Sequence, residues 1–274
     1  MYTTMLSSEV IKTTHQIQSS CLKRTVEFNL YIPDELMGNE TVHLLLLNDG
    51  QEADALDMEG MLSDLYTSGK IETLVVAAVK SSQERLQEYG VAGVPDYLNR
   101  GSKADLYTQF VKEELLPFIE AQVAVPLTGT RAVAGFSLGG LSAFDLVWNN
   151  DQLFDVAGVF SGSFWWRKKD LKQGYQEDRD RIVHQMIRHT AGKPAVRFWL
   201  MTGTEDETAD RNRNFIIDSI DDTIDVIKEL KNKGYHRPDE VFYYEMVGGK
   251  HEIGTWAKAM PAFLTWAFGR KPKV

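Results

Sequence analysis

The chain has 274 residues, 43% hydrophobic, 25% charged and 11% aromatic, which supports a large buried core and argues against disorder in the bulk. Its formal charge of −9 argues against a sequence-independent grip on nucleic acid, because such binding draws on clustered Lys and Arg displacing counterions. No apolar run approaches the length of about 18 residues that a membrane helix needs, and the lone Cys21 rules out an intramolecular disulfide framework and fits a reducing, cytoplasmic setting.

Residues 1–20 show no basic start followed by an apolar run, so no secretory leader is expected. With no repeat, low-complexity tract or linker, residues 1–274 read as a single domain. The first strand is expected over 25–32. A second, over 42–48, is a nearly continuous apolar run of the kind covered on both faces, and it leads into Leu46-Leu47-Asn48-Asp49-Gly50-Gln51. A helical pattern over 53–66 and a strand over 73–80 follow. The charged, Gly-containing segment 81–101 is long for a connection, which makes it a candidate for lining a site. Over 103–121, Tyr107, Phe110, Val111, Leu115 and Phe118 recur three or four residues apart as a core-facing helical stripe, with Pro117 expected to kink or shorten it.

A small apolar strand over 132–136 then runs into Gly135-Phe136-Ser137-Leu138-Gly139 and a helix over 138–149. G-x-S-x-G alone arises by accident in roughly one chain in ten of this size, but its position between a strand and a helix is the context the motif requires. A sharp strand-to-helix turn leaves no room for side chains beside the serine, and so Ser137 projects alone above the sheet. The helix that follows aims its free N–H groups at the same point, with Leu138 N–H placed to stabilise an oxyanion.

A serine hydroxyl is a poor nucleophile until a base removes its proton, and on this scaffold the acid and the base follow the serine in that order. After the strand over 157–161 comes Ser161-Gly162-Ser163-Phe164-Trp165-Trp166. His184 and His189 fall in a helical pattern over 179–190 and read as surface residues. The strand over 196–203 ends in Thr204-Glu205-Asp206-Glu207, where Asp206 is the chosen acid and Glu205 and Glu207 remain open. In the helix over 210–233 the acidic run 218–225 alternates with Ile217, Ile220, Ile224 and Ile227, which predicts a solvated carboxylate face. His236 lies in a polar turn; His15 and His43 precede the serine. His251 differs, following the strand over 241–247 through Gly248-Gly249-Lys250 and preceding a helix over 255–268, and it is the expected base. The alternation of strands and helices predicts an α/β fold, a mainly parallel twisted sheet with helices on both faces in three layers, and the serine turn between strand and helix makes it the α/β-hydrolase type.

With these positions in hand, the chain resembles the putative-esterase family of α/β-hydrolases, which includes enterochelin esterases, carbohydrate feruloyl and acetyl esterases, S-formylglutathione hydrolase and mycolyltransferases. The likeness runs from Arg24 to Phe268. Leu46-Leu47-Asn48-Asp49-Gly50-Gln51 looks like the family's L-L-x-D-G-Q, which implies that Gln51 supplies the second oxyanion N–H. Arg85-Leu86-Gln87-Glu88-Tyr89 is similar to R-x-x-E-Y, and Phe110 to Phe118 to F-x-x-E-L-x-P-F. Ser161 to Trp166 looks most like the siderophore-esterase branch. The resemblance also implies Asp206 as acid and His251 as base. Two adjacent aromatics at a strand end cannot both face inward, so one of Trp165 and Trp166 is expected at the cleft. Arg85 and Tyr89 are further candidates for substrate contact, the alternative for Arg85 and Glu88 being a structural ion pair. The implied activity is serine carboxylic-ester hydrolysis of a small-molecule ester through an acyl-enzyme, with a siderophore ester first. The alternatives are a carbohydrate acetyl or feruloyl ester, or acyl transfer with the same triad. No metal-ligand, dinucleotide or phosphate-loop signature is present, so neither a cofactor nor a metal is expected. The sequence leaves the oligomeric state open.

Overall fold

The computed structural model describes residues 9–36 and 38–270, so the expectation of no leader in residues 1–20 lies, for residues 1–8, outside the described residues. Among the described residues eight strands, β1 (Val10–Ser19), β2 (Arg24–Pro33), β3 (Val42–Asn48), β4 (Thr73–Val79), β5 (Arg131–Phe136), β6 (Val156–Phe160), β7 (Arg197–Glu205) and β8 (Val241–Lys250), form one sheet in the order β1-β2-β4-β3-β5-β6-β7-β8. The β1–β2 and β2–β4 pairs are antiparallel; every other pair is parallel. The helices are α1 (Met58–Thr67), α2 (Arg85–Glu88), α3 (Ala104–Phe110), α4 (Leu116–Gln122), α5 (Leu138–Trp148), α6 (Glu177–Asp180), α7 (Ile182–His189), α8 (Asp218–Asn232) and α9 (Ile253–Phe268).

Strand β3 shows why the fold is layered. All seven of its residues are buried, and alternate side chains point to opposite faces. Leu44 and Leu46 join the cluster that contains Tyr107, Phe144, Val183 and Val226, whereas Leu45 and Leu47 join the one that contains Leu62, Leu65, Met260 and Phe263. Helices α3, α5, α7 and α8 therefore cover one face, and α1 and α9 the other. This is the expected three-layer α/β-hydrolase architecture. Strand order reverses between β3 and β5, and in such sheets the crevice at the carboxyl ends of strands beside that switch point is where ligands bind.

Several expectations are corrected. Strand β1 was not foreseen, because as an edge strand it buries little and its only signal is β-branched content at Val10, Ile11, Thr13, Thr14 and Ile17. The helix expected over 53–66 begins at Met58, after a turn in which Asp57 takes φ 52°. The 103–121 pattern is helical throughout, but a π segment, Val111–Leu115, sits immediately before Pro117. Pro117 has no N–H to donate and its ring crowds the preceding turn, and the wider π turn accommodates both effects.

The 179–190 helix is divided at Arg181, whose extended backbone (φ −75°, ψ 116°) separates α6 from α7. The Arg181 guanidinium is buried, with Asp222 and Asp225 each 2.7 Å away. The acidic run is consequently not a solvated face. Asp218 and Asp222 are buried, and Arg211 reaches both while also bonding Glu177 at 2.7 Å. Residues 210–217 form the loop that carries Arg211, so the helix starts at Asp218. His184 is likewise buried, not on the surface; burial pushes its imidazole down to about 3, so it is neutral in the folded chain.

In the middle of α5, buried Asp145 accepts the Ala92 N–H at 3.0 Å and an Asn149 amide N–H at 2.8 Å, tying the 81–101 segment to the helix. Burial pushes its carboxyl up to about 7 from 3.8. A carboxyl that holds its proton more tightly when folded costs stability as pH rises from its unfolded value through its folded one. Asp145→Asn keeps the size and an acceptor, so its melting temperature relative to the parent should climb between about pH 4 and about pH 7 and level off above that. A pH-independent difference in thermal melts contradicts this account.

Candidate active site

Three residues of the 132–141 stretch leave no space for a side chain. A Cβ on Gly135 would meet Gly139 O at 2.4 Å, one on Gly139 would meet the Asp49 carboxylate at 2.6 Å, and one on Gly140 would meet Gly135 O at 2.9 Å. These approaches let β5 turn into α5 within one residue. That residue, Ser137, takes φ 53° and ψ −118°, a conformation most side chains avoid. Four backbone bonds hold it there: Ser137 N–H to Phe160 O at 2.9 Å, and the N–H groups of Gly140, Leu141 and Ser163 to Ser137 O at 3.1 Å each. Its hydroxyl lies 3.5 Å from that of Ser163 and faces a cavity of about 160 Å³ lined by Asp49, Gln51, Glu52, Arg85, Phe136, Ile253 and Trp256. Leu138 is the first residue of α5, where N–H groups have no acceptor within the helix.

After β3, Asp49 turns the chain with φ 60° into a short 3-10 turn, Gly50–Glu52. Gly50 is required because a Cβ there would lie 2.2 Å from the Ala78 backbone. The turn stands on a polar platform. Asn48 donates to Gly139 O at 2.9 Å and accepts from the Tyr107 hydroxyl at 2.7 Å, while Asp49 N–H donates to the Tyr89 oxygen at 3.2 Å. Arg85 grips the Asp49 carboxylate with two bonds of 2.6 Å. Burial disfavours its charge, but the Asp49 carboxylate outweighs burial and raises the guanidinium overall. Gln51, exposed, lines the cavity and accepts from Ser81 N–H at 3.0 Å through its side chain.

Of the three consecutive carboxylates at the end of β7, Glu205 is exposed, Glu207 half-buried and Asp206 buried. One Asp206 oxygen accepts the Ser161 hydroxyl at 3.1 Å and the other the Gly203 N–H at 3.0 Å. Burial raises its carboxyl, and the Gly203 and Ser161 donors and the charge on His251 oppose that shift. His251 follows β8 at the same end of the sheet. The surrounding protein desolvates its imidazole and lowers it, the Asp206 carboxylate pulls it up, and the Arg85 guanidinium lowers it again. Trp256 joins these groups: its ring meets the His251 ring edge-on at 5.1 Å, stacks on Phe136 at 4.9 Å, and its N–H donates to Ser161 at 2.9 Å. Asp206 and His251 are thus both tied to Trp256, which also lines the Ser137 cavity; among the described residues His251 forms no hydrogen bond to Ser137 or Asp206.

Other expectations change. Tyr89 and Trp166 are buried and cannot touch a substrate: Tyr89 supports the Asp49 turn, and Trp166 packs where a Cβ on Gly90 would approach it within 3.1 Å. Trp165 is the half-buried member of the pair but is not among the residues lining the cavity. Arg85 does line it, paired with Asp49 and not with Glu88, whose carboxylate binds Arg24 at 2.7 Å. Sequence reasoning missed Asp49, Ser161, Ser163 and Trp256 as site residues. The first three stand inside motifs already quoted, and Trp256 lies five residues beyond His251. Among the described residues, no group of three or more His, Cys, Asp or Glu side chains could hold a metal ion, and no helix is long and apolar enough to cross a membrane.

The fold recurs in solved structures. An enterobactin esterase from Shigella flexneri, determined in the presence of enterobactin, superposes with a TM-score of 0.72 at 18% identity over 94% of this chain, which spans only 58% of that protein. A ferulic acid esterase gives 0.70 at 16% identity over 95% of this chain and 98% of its own. The BES protein from Bacillus cereus gives 0.68 at 16% over 94% and 96%. No curated protein sequence matches the chain. The family model described as "Putative esterase" matches residues 19–267, and the chain belongs to that esterase family.

Proposed function

We propose that the chain is a serine carboxylic-ester hydrolase of small-molecule esters, working as one domain through an acyl-enzyme on Ser137. The observation that carries this reading is the arrangement at Trp256: a strained serine opens to a cavity that this indole lines, and the same indole packs on an imidazole coupled to a buried carboxylate. His251 takes the Ser137 proton as the hydroxyl attacks the ester carbonyl, and the N–H groups of Gln51 and Leu138 hold the oxyanion. Protonated His251 then gives its proton to the leaving alcohol. Water, deprotonated by the same imidazole, attacks the acyl group and frees the acid. Asp206 fixes the tautomer of His251 and stabilises its charged form. Arg85 acts indirectly by locking the Asp49 turn that presents Gln51.

The substrate reading is an ester of the siderophore type, supported by the resemblance of the Ser161 to Trp166 segment to that branch and by the enterobactin esterase likeness. A feruloyl ester of a carbohydrate is the second reading, favoured by the nearly end-to-end coverage of the ferulic acid esterase. The single Cys21 supports a reducing, cytoplasmic setting.

Mixing the protein with an activated acetyl ester and quenching with acid during turnover should give a burst of alcohol and a trapped acetyl mass increase on the peptide containing Ser137; folded protein with an unlabelled Ser137 rejects the proposal. Ser137→Ala and His251→Ala should each cut kcat by about ten-thousandfold or more, and the double variant should be scarcely worse than either. Asp206→Asn should cost about a thousandfold or more, against no more than about twofold for Glu205→Gln.

A pH profile tests the base. Only neutral His251 can accept a proton, and its net shift is downward from 6.5, so the acid limb of kcat/KM should fall below 6.5. Because the Asp206 carboxylate raises His251, Asp206→Asn should move that limb further toward acid. A limb above 6.5, or a move toward alkali in the variant, contradicts the assignment.

A further inference from the structure

A pair of arginines beyond the serine share their aromatic neighbours and differ in one respect. Arg100 stands 5.0 Å from the Trp165 ring and 6.0 Å from that of Tyr97, and Arg167 stands 5.8 Å and 5.1 Å from the same two rings, with Tyr175 at 5.8 Å on its other side. Arg100 is neutralised by two bonds to the buried Asp96 carboxylate, one of them 2.7 Å long. Arg167 has no carboxylate partner and no hydrogen-bond acceptor among the described residues, and its Nε is buried. A half-buried guanidinium held among three rings with no counter-ion is an uncompensated positive charge in a chain whose formal net charge is −9.

The backbone around Arg167 is fixed. Its carbonyl accepts the Tyr97 N–H at 3.1 Å, and the flanking Trp166 O and Lys168 N–H bond Ile182 and Asp180 at 2.8 Å each. It is also close to the reacting serine. Trp166 N–H bonds Ser163 O at 3.1 Å, closing a turn that keeps the Cα atoms of those two residues within about 7 Å, so the Arg167 Cα lies within about 11 Å of Ser163 Cα. Ser163 Oγ is itself 3.5 Å from Ser137 Oγ.

We propose that Arg167, framed by Tyr97, Trp165 and Tyr175, binds an anionic group carried by the ester at a distance from its reacting carbonyl. The site takes a carboxylate or phenolate on an aromatic body: the guanidinium meets the anion and the rings cover the apolar part. This deepens the esterase reading and rests on it for its place in the reaction. The exposed Lys168 that follows adds to the local positive field.

Two esters of matched size test it: methyl 4-carboxycinnamate, which carries an anion, and methyl 4-methylcinnamate, which does not. The unaltered protein should favour the anionic ester by about tenfold in kcat/KM, mainly through KM, with the preference shrinking as salt is added. Arg167→Gln should abolish the preference, and Arg167→Lys should retain part of it. Equal rates for the two esters, or a preference that survives Arg167→Gln, overturn the proposal. Affinity for methyl 4-carboxycinnamate, measured by calorimetry in Ser137→Ala, separates the subsite from the chemistry. A loss of about tenfold when Arg167→Gln is added supports the subsite even if no ester is turned over, a result that would reject the esterase reading alone. Unchanged affinity rejects the subsite whatever the turnover.

Discussion

The site depends on a backbone approach with no room for side chains. Where β5 becomes α5, the carbonyl of Gly139 and the carboxylate of Asp49 occupy the positions that Cβ atoms of Gly135 and Gly139 would need. That closeness forces the whole change of direction onto Ser137 and puts the start of α5 directly beneath its hydroxyl. The strain at Ser137 persists because Phe160 and Ser163 bind its backbone from the neighbouring strand and the loop after it. A hydroxyl raised in this way is accessible, rigid, and beside helix N–H groups with no other partner.

The same approach explains why Asp49 matters although it does not act on substrate in the proposed mechanism. Its carboxylate sits against the elbow glycine, and two bonds from Arg85 hold it in that position and neutralise it. Tyr89 satisfies the Asp49 N–H, and Asn48, itself held by the Tyr107 hydroxyl, satisfies the Gly139 carbonyl of the elbow. Removing one member would leave a buried polar or charged group without its partner, which is more costly than never having had the pair. The Gln51 turn is thereby tied to the nucleophile elbow by side chains, not only by adjacency in the sheet.

On the far side, Ser161 and Trp256 do the equivalent work for Asp206 and His251. Ser161 passes a hydrogen bond from the Trp256 indole to Asp206, and the same indole packs on His251 and Phe136. The loop bearing Asp206 is anchored further along by Arg211, whose guanidinium is fixed by Asp218, Asp222 and Glu177. An acidic stretch that looks like solvated surface is in fact the counter-charge for two arginines that cross to it from other elements.

By itself the sequence determined what is local: the apolar strands, the glycine-flanked Ser137, the order in which Asp206 and His251 follow it, and the aromatic stripe around Pro117. Each is legible because strand pairing, steric crowding and helical period act over a few neighbouring residues. Tertiary structure alone decided the rest. Which of three consecutive carboxylates turns inward depends on Ser161, 45 positions earlier. Whether Arg85 pairs with Glu88 or Asp49 depends on a loop folding back across the sheet. The burial of Tyr89, Trp166 and His184 depends on packing against segments distant in the chain. Edge strand β1, with one side open and few apolar residues, had too weak a period to be read before its partner β2 was in place.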